Sequence, residues 1–494
     1  MTQISLPQQS QAKQAVLDTM KAARDHDVKW REGRVFSLVF NAGDEVSDML
    51  KEAYNLYFSE NGLNPTAFPS LKKFETEVVS MVASLLNGDD DVVGNMTTGG
   101  TESLLMAVKT ARNYARAAKP QIKTPEVILP MTAHPAFEKA AEYFDVKMVH
   151  VPVREDYRTN VAAMEAAITP NTIMLVGSAP SYPQGVVDPI RDLAQVAVKH
   201  NLLLHVDACV GGMMLPFVRK LGFTIPDFDF AIPGVTSISC DLHKYGYAAK
   251  GASVILYRNS ALRRHMFFSY INWAGGVYVS PTMTGTRPGG PIAAAWAIMN
   301  FLGEEGYLKL ADVVMRTARK IREGIASMTD ARVLSNPDMS VLAIASDKWD
   351  VYQIGDELTA RGWHLDRQQF PPSLHMTIVP AHALVADQFL IDLKESIAAV
   401  KRPSVRKVTN KVVVSTANGL MKMLPDKWAS RLTAKSSSLL GASGEGLPQR
   451  SAAMYGLIGT LPNRGDLNEL VIDLLDQLTQ MPKSDASAGR KSSG

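Results

Sequence analysis

Between about residues 92 and 260 the chain alternates two hydrophobic periods. Short apolar, β-branched runs carry one: VILPMTAH (127–134), MVHVPV (148–153), TIMLVGSA (172–179), LLLHVDACV (202–210), FAIPGVTSISCDL (230–242) and ASVILYR (252–258). Amphipathic stretches such as PAFEKAAEYF and PIRDLAQVAVKH lie between several of them. Strands alternating with helices predict a mostly parallel sheet covered on both faces. Ligands of such sheets bind outside the carboxyl ends of the strands, so the residues closing each run are the first candidates for chemistry.

The flanks read differently. Residues 1–60 form a polar, helical arm. LKKFETEVVSMVASLLNG then repeats apolar positions at three and four, with Ser70 as the expected N-cap and Gly88 just past the end. From about 310 the pattern becomes a smaller α+β unit. VLSNPDMSVLAIAS predicts a strand, 351–361 a helix, and WHLDRQQFPPSLHMTIVP a further strand. The expected division is an N-terminal arm over 1–68, a large domain over 69–308 and a small C-terminal domain over 309–482. Within the small domain, residues 402–450 read as a flexible insertion rich in Ser and Gly, and 483–494 as a disordered tail. The basic run 401–411 could meet an anionic membrane surface, but a solvated loop is the preferred reading.

Composition narrows the field. Of 494 residues, 46% are hydrophobic and 20% charged, which excludes a mainly disordered or collagen-like chain. The net charge of +3 gives no reason to expect nucleic acid. Two cysteines, Cys209 and Cys240, sit inside apolar runs, so a reducing, cytoplasmic setting is expected and a disulfide framework is not. No signal peptide or transmembrane segment is expected, because no apolar run reaches 18 residues.

Three features then fall in chain order beside strand ends. Thr97-Thr98-Gly99-Gly100-Thr101-Glu102 opens a helical run. Glycines there let backbone N–H groups approach an anion at the helix N-terminus, although a plain helix start capped by Thr101 reads the same. Asp207 closes LLLHVDA; a carboxylate on an apolar strand needs a partner, and a protonated heterocyclic nitrogen is a suitable one. Lys244 follows His243 at the end of SISCDLHK, where an imine-forming lysine would sit with its pKa lowered by burial or a nearby cation. Each alone has a bland reading as cap, loop or surface pair. In this order, a phosphate cradle, an aspartate and a strand-end lysine suit pyridoxal 5′-phosphate, with His134 placed to stack on its ring. No metal is expected.

The stretches NPTAFPSLKKFETEVV, TTGGTESLLMAVKTAR, AHPAFEKAAEYF, HVDACVGG, GVTSISCDLHKYGYAAKGASVILYR, GGVYVSPTMTGTRPGG and FPPSLH carry a family resemblance. The chain resembles the fold type I pyridoxal-phosphate enzymes of the group II decarboxylase-like branch, and within it the lyases of phosphorylated sphingoid bases. The resemblance covers most of residues 30–400, lapses across 402–450 and resumes at AAMYGLIGTLPNR. It implies a large parallel-sheet domain with helices on both faces and a smaller C-terminal α+β domain.

It also implies roles. Lys244 bonds the cofactor, Asp207 pairs with the pyridine nitrogen and His134 stacks on the ring. Gly99, Gly100, Thr101, Ser239 and His243 surround the phosphate. Gly285 and Thr286 come from the partner chain of a homodimer with shared active sites. Lys250 takes part in proton transfer, and Asn61 contacts the substrate, a small lipid phosphate. Phe40 and Asn64 stand where the family carries a Tyr and a His that serve the substrate. The implied reaction is a retro-aldol cleavage to a long-chain aldehyde and phosphoethanolamine. The alternatives are an amino-acid decarboxylase using the same cofactor and a non-catalytic binding protein on the same fold.

Overall fold

A computed structural model of the chain describes residues 2–3, 5–64, 66–402 and isolated positions between 468 and 484. The expected insertion and tail, and most of the basic run, lie outside the described residues. The N-terminal part contains α1 (Lys13–Ala23) and α2 (Asp44–Leu56). Helix α3 (Pro69–Leu85) follows, burying Leu71, Val78, Val79 and Val82 along the face that the three-and-four spacing predicts. Ser70 is not its cap. Pro69 occupies the first turn, where its fixed φ and missing N–H cost nothing, and the N-cap position falls to Phe68.

The large sheet is built from β1 (Val93–Thr97), β2 (Glu126–Pro130), β3 (Lys147–Val151), β4 (Thr172–Ser178), β5 (Leu203–Asp207), β6 (Ser237–Asp241) and β7 (Ser253–Tyr257). Its strand order is β1-β7-β6-β5-β4-β2-β3. All neighbours pair in parallel except β7, which runs antiparallel to both β1 and β6. Helices α4 (Gly100–Ala118), α5 (Ala136–Phe144), α6 (Ile190–Lys199) and α7 (Leu215–Lys220) belong to the same domain. In β2, β4, β6 and β7 every residue is buried, which is why their sequences run apolar or small with only an end acid, Glu126 or Asp241, rather than alternating.

One apolar run is mostly not a strand. Of 230–242, only Ser237–Asp241 pairs. Gly234 turns the chain at φ +99°, and the Arg258 guanidinium takes the carbonyls of Phe230, Ile232 and Val235, each at 3.0 Å. Those carbonyls are satisfied without a ladder, while Phe230 and Ile232 are buried in the core.

After the sheet comes an antiparallel hairpin, β8 (Phe268–Trp273) and β9 (Gly276–Ser280). It leaves Phe268, Tyr270, Ile271, Trp273, Val277 and Val279 exposed. Helix α8 (Gly289–Ala326) spans 38 residues, interrupted at Gly303, whose φ of +54° breaks the helical path. It leads into the small domain, where β10 (Arg332–Val333), β11 (Val341–Ala345), β12 (Asp366–Gln369) and β13 (Pro372–Thr377) form an antiparallel sheet in the order β10-β11-β13-β12. Helices α9 (Val351–Ala360) and α10 (Ala386–Lys401) complete it. WHLDRQQFPPSLHMTIVP therefore supplies two strands, not one. No helix among the described residues is long and apolar enough to cross a membrane.

Candidate active site

The carboxyl ends of β4, β5 and β6 and the start of α4 enclose a cavity of about 470 Å³. Gly99, Gly100, Thr101, His134, Asp207, His243 and Lys244 all line it, so residues spread over 146 positions meet in one place. Helix α4 starts at Gly100 with Gly99 before it, so Thr101 is inside the first turn and is not the cap. Instead, the Glu102 carboxylate accepts the Thr98 N–H and hydroxyl, both at 2.7 Å, and the Met283 N–H at 2.8 Å. A side chain at Gly100 would place its Cβ 2.7 Å from Asp241 Oδ2, so only glycine admits this approach of helix to strand end.

Asp207 is nearly buried and accepts the Cys209 N–H at 3.1 Å. Behind it Ser239 lies 3.3 Å from His205 Nε2, and His205 Nδ1 lies 2.9 Å from Ser237. Burial pushes the His205 imidazole down to about 4, so it backs the aspartate as a neutral ring. Ser239 is fully buried in this row and does not line the cavity. His134 Nδ1 accepts the Ala136 N–H at 3.1 Å, which orients its ring, and burial holds its pKa below the ordinary histidine value. Burial has the same effect on His243.

Lys244 departs from expectation. Burial opposes its ammonium, but Asp241 Oδ2 lies 2.9 Å away, and the attraction holds the pKa above the ordinary lysine value. Asp241 itself is buried, which opposes its charge, yet Lys244 and His243 keep it below the ordinary carboxylate value. Its Oδ1 has no hydrogen-bond partner among the described residues. Sequence reasoning passed over Asp241; its signal was an acid on an apolar strand, the argument that singled out Asp207.

Lys250 does not line the cavity but packs against His243, which does. Its ammonium donates to the His243 carbonyl at 3.3 Å and stands 5.3 Å from the centre of the Phe40 ring. Desolvation and then the Lys244 charge lower its pKa. Phe40 also packs edge-on against Tyr245, with ring centres 5.0 Å apart.

The remaining candidates lie elsewhere. Asn61 and Asn64 line a second cavity of about 630 Å³, together with Glu75 and Arg287. Asn64 Oδ1 accepts the Thr66 N–H and hydroxyl at 2.9 and 2.7 Å, a turn that leads into α3. Gly285 and Thr286 sit on the loop after β9, where a Cβ on Gly285 would meet the Tyr278 hydroxyl. Neither residue lines the Lys244 cavity of its own chain.

The Lys244 cavity fits a phosphorylated aldehyde cofactor. Backbone N–H groups at the start of α4 suit a dianion, a buried carboxylate suits a protonated ring nitrogen, and an amine faces the same space. Comparisons agree. Residues 2–345 match the pyridoxal-dependent decarboxylase conserved domain. A sphingosine-1-phosphate lyase of Oryza sativa is 40% identical over 468 residues, 93% of this chain and 78% of its own. One from Rattus norvegicus is 42% identical over 408 residues, 82% of this chain and 72% of its own. Among solved structures, a sphingosine-1-phosphate lyase of Burkholderia pseudomallei superposes with a TM-score of 0.78 at 37% identity, covering 83% of this chain and 96% of that one. A glutamate decarboxylase of Lactobacillus brevis superposes at 0.71 with 18% identity, covering 82% and 96%, and shares the fold.

Proposed function

The chain belongs to the pyridoxal-dependent decarboxylase family, within its sphingosine-1-phosphate lyase branch, and from that premise we propose how its residues divide the work. It is a pyridoxal-phosphate-dependent lyase that cleaves phosphorylated sphingoid bases between the amine-bearing and hydroxyl-bearing carbons. One observation carries the assignment of roles: Lys244, Asp207, His134 and the glycine start of α4 converge in a single cavity.

Bound there, pyridoxal phosphate supplies an aldehyde that bonds to amines and a ring that withdraws electrons from the bond to be broken. Lys244 is the amine that holds it covalently. Asp241, 2.9 Å from Lys244, is placed to exchange a proton with it as that amine is engaged and released. Asp207 would hold the ring nitrogen and favour its protonated form, and the row through Ser239 and His205 fixes that carboxylate. Gly99, Gly100, Thr101 and His243 would hold the phosphate, while Ser239 supports Asp207 from within the sheet. His134 covers one ring face. Lys250 takes part in one of the proton transfers; burial and then the Lys244 charge hold its pKa below the ordinary lysine value.

A homodimer accounts for the residues left outside. Asn61, Asn64, Gly285 and Thr286 do not reach the Lys244 cavity of their own chain. They lie beside the β8–β9 hairpin, whose apolar side chains form the kind of exposed patch that marks an interface. A second copy covering that hairpin brings Gly285 and Thr286 to the cofactor phosphate and Asn61 to the substrate. Phe40, which abuts Lys250, then stands where the family has a phenol and offers no donor, and Asn64 puts an amide in place of an imidazole. Two buried free cysteines suit a reducing, cytoplasmic setting.

The test of the reaction is product identity. The holoprotein is expected to release a long-chain aldehyde from phosphorylated sphinganine and no carbon dioxide from amino acids; the reverse result makes it a decarboxylase, and neither product makes it a binding protein. The test of the shared site is complementation. Co-expressed Lys244→Ala and Asn61→Ala chains should regain turnover that neither variant shows alone, and no recovery contradicts the sharing.

A further inference from the structure

One wall of the Lys244 cavity comes from a residue that carries no role so far. Tyr182, on the turn after β4, lines the cavity, and the small domain holds it on two sides. Its ring stacks on His375 of β13, centroid to centroid 4.0 Å at 22°. Its hydroxyl donates to Asp366 Oδ2 of β12 at 3.1 Å. Asp366 Oδ1 lies 3.4 Å from His364 Nε2, and that imidazole is partly solvent-exposed. His375 is itself pinned: Gln368 donates to its Nδ1 at 3.2 Å, and its Nε2 meets the Thr377 hydroxyl at 2.9 Å.

Donor and acceptor accounting gives this arrangement a direction. The phenol spends its proton on Asp366, so it offers lone pairs to anything else that approaches. A phenol in that state accepts from a hydroxyl while passing its own proton to the carboxylate behind it. Burial, reinforced by Asp366, keeps Tyr182 protonated at rest, and burial keeps the stacked His375 neutral. Burial opposes the charge of Asp366, but the hydrogen bond from His364 holds its pKa below the ordinary carboxylate value. The groups facing this row are therefore Lys244 from the cavity and His364 and His375 from the small domain.

We infer that Tyr182 and Asp366 form the relay that removes the proton from the substrate hydroxyl, delivering it to His364 and solvent. The inference rests on the lyase reading above. The substrate O–H proton passes to Tyr182 Oη as the Tyr182 proton passes to Asp366. The bond between the two carbons breaks, its electron pair stays with the amine-bearing carbon, and the oxygen-bearing carbon leaves as the aldehyde. Protonation of the remaining carbon is a separate event, left to a lysine of the cavity.

That separation supplies the experiment. Holoenzyme carrying Tyr182→Phe keeps the ring and its stacking but loses the relay, and Asp366→Asn keeps a hydrogen bond but loses the proton acceptor. Both are expected to lower kcat for cleavage about 100-fold, the lower end of general-base contributions, with KM and the bound-cofactor absorbance retained. Exchange of the amine-bearing carbon's hydrogens in phosphoethanolamine, followed in heavy water, needs no hydroxyl proton and should continue at the wild-type rate in both. Cleavage at the wild-type rate in either variant overturns the relay. Equal loss of cleavage and exchange also overturns it, and makes the row a structural support. If the wild-type protein exchanges but does not cleave, the substrate reading fails first and the relay falls with it.

Discussion

The two cavities differ in how their polar residues are held. The Lys244 cavity is built at strand ends of one sheet, and its charged groups, Asp207, Asp241 and Lys244, have room to exchange protons and partners. In the Asn61 cavity the polar wall is a closed pair. Arg287 meets both oxygens of Glu75, at 2.6 and 2.9 Å, and Glu75 also accepts the Met96 N–H at 3.1 Å. The first arrangement can do chemistry; the second ties the loop after β9 to α3 and so fixes where Gly285 and Thr286 point. Size does not decide between them, since the framework cavity is the larger.

Substitutions separate the two. Lys244→Arg keeps a cation beside the buried Asp241 but removes the imine-forming amine, so it should abolish turnover while leaving thermal unfolding of the protein intact; retained turnover would remove the distinction altogether. Arg287→Met should do the opposite, costing about 3–5 kcal/mol of stability by leaving the buried Glu75 carboxylate unpaired. Denaturant unfolding reads that loss, and a value near zero would show the pair to be ornamental. Asp207→Ala, within the first cavity, should lower kcat about 100- to 1000-fold, the scale of removing one preorganised electrostatic group, with the fold retained. Lys250→Ala should cost about 100-fold if its amine moves a proton, and full turnover with cofactor bound would exclude that role.

A smaller effect sharpens the first cavity. The Asp241 pKa is depressed by Lys244 and His243 against burial. A depressed acid contributes stability that is present above its unfolded pKa and lost as pH falls through the folded one. The difference in Tm between wild type and Asp241→Asn should therefore be largest near neutrality and shrink below about pH 4. A difference independent of pH would contradict the ion pair.

The same contrast explains what was readable from the chain. The glycine start of α4, Asp207 and Lys244 follow local patterns, because strand ends and helix starts are written in neighbouring residues. The hairpin was missed although its signal was local: aromatic and apolar residues flank Gly275-Gly276, and the turn falls at Ala274-Gly275. Tyr182, Asp366 and His375 could not be found this way. Tyr182, on a turn after the large sheet, meets Asp366 184 positions away on the small sheet, and no periodicity encodes such a meeting. Lys244 lines the cavity, but its pKa lies above rather than below the ordinary lysine value, because its Asp241 partner was read as part of an apolar strand.

Borohydride reduction of the holoprotein, followed by peptide mapping, tests the central claim most directly. The pyridoxyl adduct is expected on Lys244, and Lys244→Ala should carry none. An adduct on Lys250, or on any residue outside the 470 Å³ cavity, would contradict the account.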